Sequence, residues 1–365
     1  MTDLEIGLAR ADELSTLQEI EGRAGDLFRA HPVTAALSLS VTPIERLERG
    51  RAEGMLWVAR EEARVVGFAL VEEDSGSAHH LEELDVDPAR GRRGIGRRLV
   101  EKVIEEAAAR DRSVTLTTFG AVPWNAPYYE RLGFVRLSEE ALDAPLRDRM
   151  SEEAARGLVR ADRVAMRFDA QHEAVERSQG WEAIASTFMD HSRGTPAVGV
   201  VVIRRWAARF GPGDTLLDLA CGPGTERSDV LRDRGSSLFA VDASPKLLAA
   251  YRARIPAART AWEAAERTSF FERPFDGVLA WGLLFLLPAD AQKAVIARVA
   301  KALRPRGSLL FTAPAQAGEW NDLSTGRRSV SLGREAYIAL LGEAGLTLVA
   351  EHDDEGQNHY YESVR

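Results

Sequence analysis

With 365 residues, 45% of them hydrophobic and 28% charged, the chain exceeds what one core holds and points to two globular domains. A formal net charge of −9 argues against broad nucleic-acid affinity, because phosphate binders carry a basic surplus. The one cysteine, Cys221, excludes an intrachain disulfide and a cysteine zinc cluster, and it suits a cytoplasmic location.

The start, MTDLEIGLARADEL, has early acids and no cationic segment ahead of an apolar run, so no secretory signal is expected. Residues 4–10 and 55–60 read as strands separated by a helix over about 12–29. Residues 65–73 and 78–86 then read as two antiparallel strands with the polar DSGSA as their turn. Leu99, Val100, Val103, Ile104, Ala107 and Ala108 recur at helical spacing. A strand at 113–119, a short helix closed by Gly133, a strand at 134–137, a charged helix near 138–158 and a last strand at 163–168 complete this half. The polar stretch 170–180 is read as a linker.

The second half opens with helical stretches at 181–192 and 200–210 and then alternates strand and helix to residue 353. That alternation predicts a parallel, doubly wound sheet with helices on both faces. Its most apolar run, 277–289, is too short for a bilayer and reads as a buried strand leading into a loop. The composition therefore calls for no membrane and no nucleic acid.

Two glycine loops carry the chemistry. In the first, ARGRRGIGRRLV at 89–100, Gly94 and Gly96 precede a helix. Amides at such a bend, next to the positive end of a helix, suit a pyrophosphate. The dinucleotide spacing fails because Leu99 stands at the third glycine. The surrounding arginines also suit a solvated face or a nucleic-acid patch. With the strand LEELDVDP before it and WNAPYYERLGF after it, residues 1–169 resemble the GNAT acetyltransferases. Gly94, Gly96, Asn125, Tyr129, Gly133 and Phe134 match the family pattern, whereas Gly91 replaces its opening Gln or Arg.

The resemblance implies a mixed, mostly antiparallel sheet with helices, and acetyl transfer from acetyl-CoA to an amine. A base must take a proton from that amine, and Glu82 or His80 is expected to serve, with Glu83 on the other face unless a bulge shifts the register. Tyr129 matches the family's general acid. Arg92, Arg93, Gly94, Ile95, Gly96, Arg97 and Asn125 fall at cofactor positions, and the backbone near Leu84 and Val86 would bind the pantetheine arm.

The second loop, DLACGPGTE at 218–226, leaves the first strand of the parallel half, where open α/β sheets bind ligands. No lysine with Ser or Thr follows, so a triphosphate loop is excluded; a dinucleotide fold stays open, although its spacing fails because Arg227 occupies the third-glycine position. About twenty residues on, Asp242 ends the second strand, where a carboxylate accepts both hydroxyls of a ribose. Residues 181–365 resemble a class I S-adenosylmethionine-dependent methyltransferase with a Rossmann-like, seven-stranded sheet. Asp218, Ala220, Gly222, Gly224, Asp242, Ala243 and Glu266 fall at cofactor positions, while Ala264 replaces an aspartate that reads adenine, leaving Glu263 or a backbone group for that task. Trp281, Trp320, His359, Tyr360 and Tyr361 are candidates to face the acceptor, Trp281 and His359 foremost, with His359 able to act as a base. No metal ligand set is seen. The expectation is a bifunctional transferase; the alternative is a single enzyme whose other half binds a cofactor or metabolite as a regulatory or scaffold domain.

Overall fold

A computed structural model describes residues 4–29, 31, 34, 40–74, 76–192 and 194–365. The chain divides into two compact units, Met1–Gln171 and His172–Arg365.

In the first unit the order is β1 (Leu4–Leu8), α1 (Leu14–Arg29), α2 (Ile44–Ala52), β2 (Leu56–Glu61), β3 (Arg64–Glu73), β4 (Ala78–Val86), α3 (Ile95–Ala109), β5 (Ser113–Phe119), α4 (Ala126–Arg131), β6 (Val135–Arg136), α5 (Ala144–Ala155) and β7 (Arg163–Phe168). The sheet runs β1-β2-β3-β4-β5-β7-β6, and every neighbouring pair is antiparallel except β4 with β5. β2 and β3 are apolar along nearly their whole length and buried, because helices cover them. Leu17 and Ile20 of α1 and Leu47 of α2 pack with Leu56, Val58, Phe68 and Leu70 into one core. The stripe predicted on α3 is buried in full. α2 lies beyond the sequence reading; its ERLERGRA pattern carries few apolar residues to mark a period.

The second unit contains α6 (Ala170–Arg177, shared with the boundary), α7 (Trp181–Ser192), α8 (Val200–Ala207), β8 (Thr215–Leu219), α9 (Glu226–Arg232), β9 (Ser237–Asp242), α10 (Pro245–Arg254), β10 (Arg259–Trp262), β11 (Phe275–Ala280), α11 (Ala289–Ala302), β12 (Leu303–Thr312), β13 (Gly318–Asn321), β14 (Arg328–Ser331), α12 (Arg334–Glu343), β15 (Thr347–Asp353) and β16 (His359–Val364). The stretch expected to be a linker is therefore helical, with Ala174 and Ser178 buried. The main sheet runs β10-β9-β8-β11-β12-β16-β15. It is parallel up to β12, and β16 enters antiparallel between β12 and β15. This is the Rossmann-like, seven-stranded arrangement that the resemblance implied, and its parallel part is what the alternation predicted. Its order reverses at β8, which puts the crevice at the carboxyl ends of β8, β9 and β11. β8 is buried at all five positions, as a strand covered on both faces must be. β13 and β14 form a separate two-stranded hairpin. No described helix is long and apolar enough to cross a membrane.

Candidate active sites

In the first unit, β4 and β5 pair over Ala78–His80 and Ser113–Thr115 and then part, although both strands continue. The parting opens a cleft lined by Leu81 to Asp85 on one side and Leu116 to Phe119 on the other, with Asn125 and Tyr129 at its edge. His80 lies where the strands still hold each other. It is 2% exposed, its Nδ1 meets Thr115 Oγ1 at 3.1 Å, and it does not line the cleft. Burial, with Arg149, Arg163 and Arg46 nearby, pushes its pKa well below the usual value. His80, expected as a base, is thus held between the paired strands and away from the cleft lining.

The register of β4 shifts between Leu81, which faces Val71, and Glu83, which faces Leu70. Glu82 is the extra residue of a β-bulge. Its two oxygens are held by Arg46 at 2.8 Å and by Arg149, and the same two arginines hold Glu72 at 2.7 and 3.1 Å. Glu83 and Asp85, of one strand parity, join Glu21 of α1 in a group of three carboxylates whose oxygens lie within 4.8 Å of one another. Burial raises the pKa of Glu83 well above normal, aided by Asp85, Glu21 and Glu82; burial and Glu21 push Asp85 up to about 7. Burial also raises Tyr129. Glu83 was expected on this side only if a bulge shifted the register, which it does, while Asp85 and Glu21 escaped the sequence reading.

The loop after β4 turns through Pro88–Arg90 and reaches Gly94, whose φ of +80° caps α3. Among the described residues, the amides of Gly94, Ile95, Gly96 and Arg97 have no protein acceptor. A Cβ on Gly96 would stand 3.2 Å from Tyr128 Oη and 3.6 Å from Val86, with Leu84 at 4.0 Å, so the strand and the loop are in close contact. Arg92, at φ +61°, is exposed. The Arg93 guanidinium is bonded to Glu61 at 2.9 Å, and Arg97 to Glu101 at 2.8 Å. Asn125 donates to Thr118 Oγ1 at 2.6 Å, while its own oxygen is buried with no partner.

In the second unit, the loop after β8 places Ala220 (φ +59°), Gly222 (φ +59°) and Gly224 (φ +74°) in left-handed conformations. Asp242 binds this turn: its Oδ2 accepts the Gly222 amide and its Oδ1 the Ser244 amide, both at 2.8 Å. Asp218 lies beneath, accepting Ser228 Oγ at 2.7 Å and Tyr251 Oη at 3.3 Å. Burial lifts both acids to about 6. Ala220, Gly222, Asp242, Ala243, Glu263, Glu266 and Trp281 all line one pocket at the carboxyl ends of the strands. The Glu263 carboxylate is committed to Ser269, accepting its amide at 2.9 Å, which leaves the apolar Leu247, Ala265 and Leu287 to form that wall. Cys221 is buried beside the turn, with its thiol pushed up by burial. Asp276 accepts the Thr215 amide at 2.8 Å and pairs with Arg304 at 2.9 Å, a structural role.

The acceptor-facing candidates separate by strand parity on β16. Tyr360 points toward the pocket side, taking the Trp281 Nε1 proton at 2.8 Å and donating to Asp354 at 2.8 Å. His359 and Tyr361 point to the other face. His359 sits between Asp353 at 2.8 Å and Glu351 at 3.1 Å, while Tyr361 stacks on Phe311 in the core. Neither lines the pocket, nor does Trp320, which pairs with Phe285; the expected roles of His359 and Tyr361 at the acceptor are corrected accordingly. Trp181 and Phe188 of α7, in edge contact at 5.2 Å, do line it. Their spacing of two helical turns was the available signal.

Residues 52–136 match the family model of the acetyltransferase (GNAT) domain, and residues 216–307 match that of the methyltransferase domain. An uncharacterized methyltransferase of Synechocystis is 29% identical over 153 residues, 39% of this chain and 71% of that protein. Among solved structures, magnesium protoporphyrin IX methyltransferase of Synechocystis is 16% identical with a TM-score of 0.42, covering 53% of this chain and 97% of its own. The 1,6-didemethyltoxoflavin-N1-methyltransferase of Burkholderia thailandensis is 20% identical with a TM-score of 0.42, covering 53% and 89%. The chain is a transferase that carries a GNAT acetyltransferase domain in its first half and a methyltransferase domain in its second.

Proposed function

We propose that both domains work: the first moves an acetyl group from acetyl-CoA to an amine, and the second moves a methyl group from S-adenosylmethionine to a small-molecule acceptor. One observation carries the reading. The first unit keeps a glycine bend whose Gly94 to Arg97 amides have no acceptor among the described residues, and the second keeps a glycine turn, shaped by Asp242, that lines a pocket. At the first bend, the amides of Gly94 to Arg97 open a helix of 15 residues, which fits a pyrophosphate. At the second, Asp242 faces the pocket with lone pairs to spare for ribose hydroxyls, and the apolar wall fits a purine.

When bound, acetyl-CoA supplies an activated acyl group and S-adenosylmethionine an electrophilic methyl. In the first cleft, Glu83 takes the proton from the ammonium of the acceptor; burial raises its pKa and makes it a stronger base than an exposed carboxylate. Asp85 and Glu21 hold the ammonium in place by charge. Tyr129, kept protonated by burial, is the proton donor at the cleft edge. In the second pocket the chain's contribution is alignment: Asp242 and the turn fix the donor, and Trp181, Phe188 and Trp281 enclose the acceptor so that an in-line displacement proceeds. Incubating the full chain with a metabolite extract and both donors, then reading mass gains of one acetyl and one methyl, tests the proposal. Gain of neither group on any compound contradicts it.

A further inference from the structure

Arg227 stands in the wall of the methyltransferase pocket, in the position where a nucleotide loop would carry its third glycine. Its guanidinium lies 3.6 Å from the centre of the Trp281 ring, and Nη1 donates to the Val198 carbonyl at 3.1 Å. No carboxylate stands at ion-pair distance among the described residues. Asp218, Glu226 and Asp354 attract it only from farther off. Two of those are already engaged, Asp218 by Ser228 and Tyr251, and Asp354 by Tyr360 and Asn358. A guanidinium has five donors, and here a single carbonyl answers them.

This half-buried guanidinium in the pocket wall, with no carboxylate at ion-pair distance among the described residues, has donors left for a ligand. The placement makes sense if an anion arrives with a ligand. The guanidinium is also held in place. Its central carbon lies over the indole ring, the indole N–H is tied to Tyr360, and Tyr360 is tied to Asp354. A planar, pre-set fork matches a carboxylate in bidentate fashion, which a lysine at this position would not.

We infer that Arg227 is the receptor for a carboxylate brought into the methyltransferase pocket by a ligand. The inference rests on the reading of this pocket as the methyl-donor site. The carboxylate has two sources: the amino-acid end of the donor, or an acid group on the methyl acceptor.

Calorimetry on the full chain separates them. The probes are S-adenosylhomocysteine and its decarboxylated analogue, measured with the wild type, Arg227→Met and Arg227→Lys. If the donor supplies the carboxylate, Arg227→Met weakens S-adenosylhomocysteine by about 10- to 100-fold, the range for a lost hydrogen-bonded charge. It leaves the decarboxylated analogue unchanged, and Arg227→Lys falls between. If the acceptor supplies it, both adenosyl ligands bind the variant as they bind the wild type. Benzoate, followed by NMR at saturating S-adenosylhomocysteine, then binds the wild type and not Arg227→Met. Unchanged binding of all three probes in a variant with an unaltered thermal melt overturns the inference while leaving the donor site intact. A wild type that binds neither adenosyl ligand overturns the donor-site reading and this inference with it.

Discussion

Asp242 Oδ2 accepts the amide of Gly222 at 2.8 Å, which joins the acid ending β9 to the bend that follows β8. The second oxygen takes the Ser244 amide at the start of α10. One buried carboxylate therefore sets the shape of the turn and faces the pocket at once. Asp242→Ala leaves two amides unpaired, each worth about 1–3 kcal/mol when its charged acceptor is lost. The expected result is at least a tenfold loss of S-adenosylhomocysteine affinity by calorimetry, together with a lower melting temperature. Unchanged affinity would show that the ribose is held elsewhere.

Ala220 adopts φ +59°, a region that costs an L-residue roughly 1–2 kcal/mol. Glycine relieves that cost but adds chain entropy of roughly 0.5–1 kcal/mol, so Ala220→Gly is expected to melt at or slightly above the wild-type temperature. Ala220→Val adds a branched side chain in the same conformation and pushes methyl groups into the pocket. It is expected to lower stability by about 1–2 kcal/mol and to abolish S-adenosylhomocysteine binding. A valine variant that binds normally would contradict the assigned position of this turn.

The acidic group in the acetyltransferase cleft gives a pH dependence of definite sign. Glu83 and Asp85 hold protons that the unfolded chain releases near pH 4, because burial raises both, Asp85 to about 7. Acetyl transfer to a panel of primary amines is therefore expected to rise with pH, above the range in which an exposed carboxylate ionises, as Glu83 gives up its proton and becomes free to act as base. Glu83→Gln is expected to lower the rate by about 10²–10⁴ and flatten the profile. Stability runs the other way, falling as pH rises from about 4 to about 7, since the folded state binds more protons there. Asp85→Asn is expected to raise the melting temperature more at pH 8 than at pH 4; an equal effect at both would refute the linkage.

The adjacent tyrosines are expected to behave differently. Tyr128 Oη is buried with no partner, so Tyr128→Phe removes an unsatisfied group and should leave the melt equal or higher. Tyr129 lines the cleft with Glu83. Tyr129→Phe is expected to slow acetyl transfer while leaving the melt unchanged. Equal kinetic effects of the two changes would refute the assignment of the proton donor to Tyr129.

Much of the fold was legible because it rests on periodicity. The strands at 113–119 and 163–168, the stripe on α3 and the strand–helix alternation after 215 all stand as read. The two loops were legible because glycine at a bend between strand and helix has few other uses. What escaped depends on single-residue register and on tertiary partners. A one-residue bulge at Glu82 brings Glu83 into the cleft beside it, and alternation does not foretell a bulge. His359 went astray because β16 turns it away from the pocket while turning Tyr360 toward it. The helix at 170–177 looked like a linker because its polarity hides the burial of Ala174, which only packing reveals.

Under the proposed function, two bends in one chain grip two unlike donors. Calorimetric titration of the full chain, first with acetyl-CoA and then with S-adenosylhomocysteine, examines this directly. The expected result is saturable heat from each ligand at one site per chain, with neither affinity altered by the other. A chain that gives no heat with one or both ligands would contradict it.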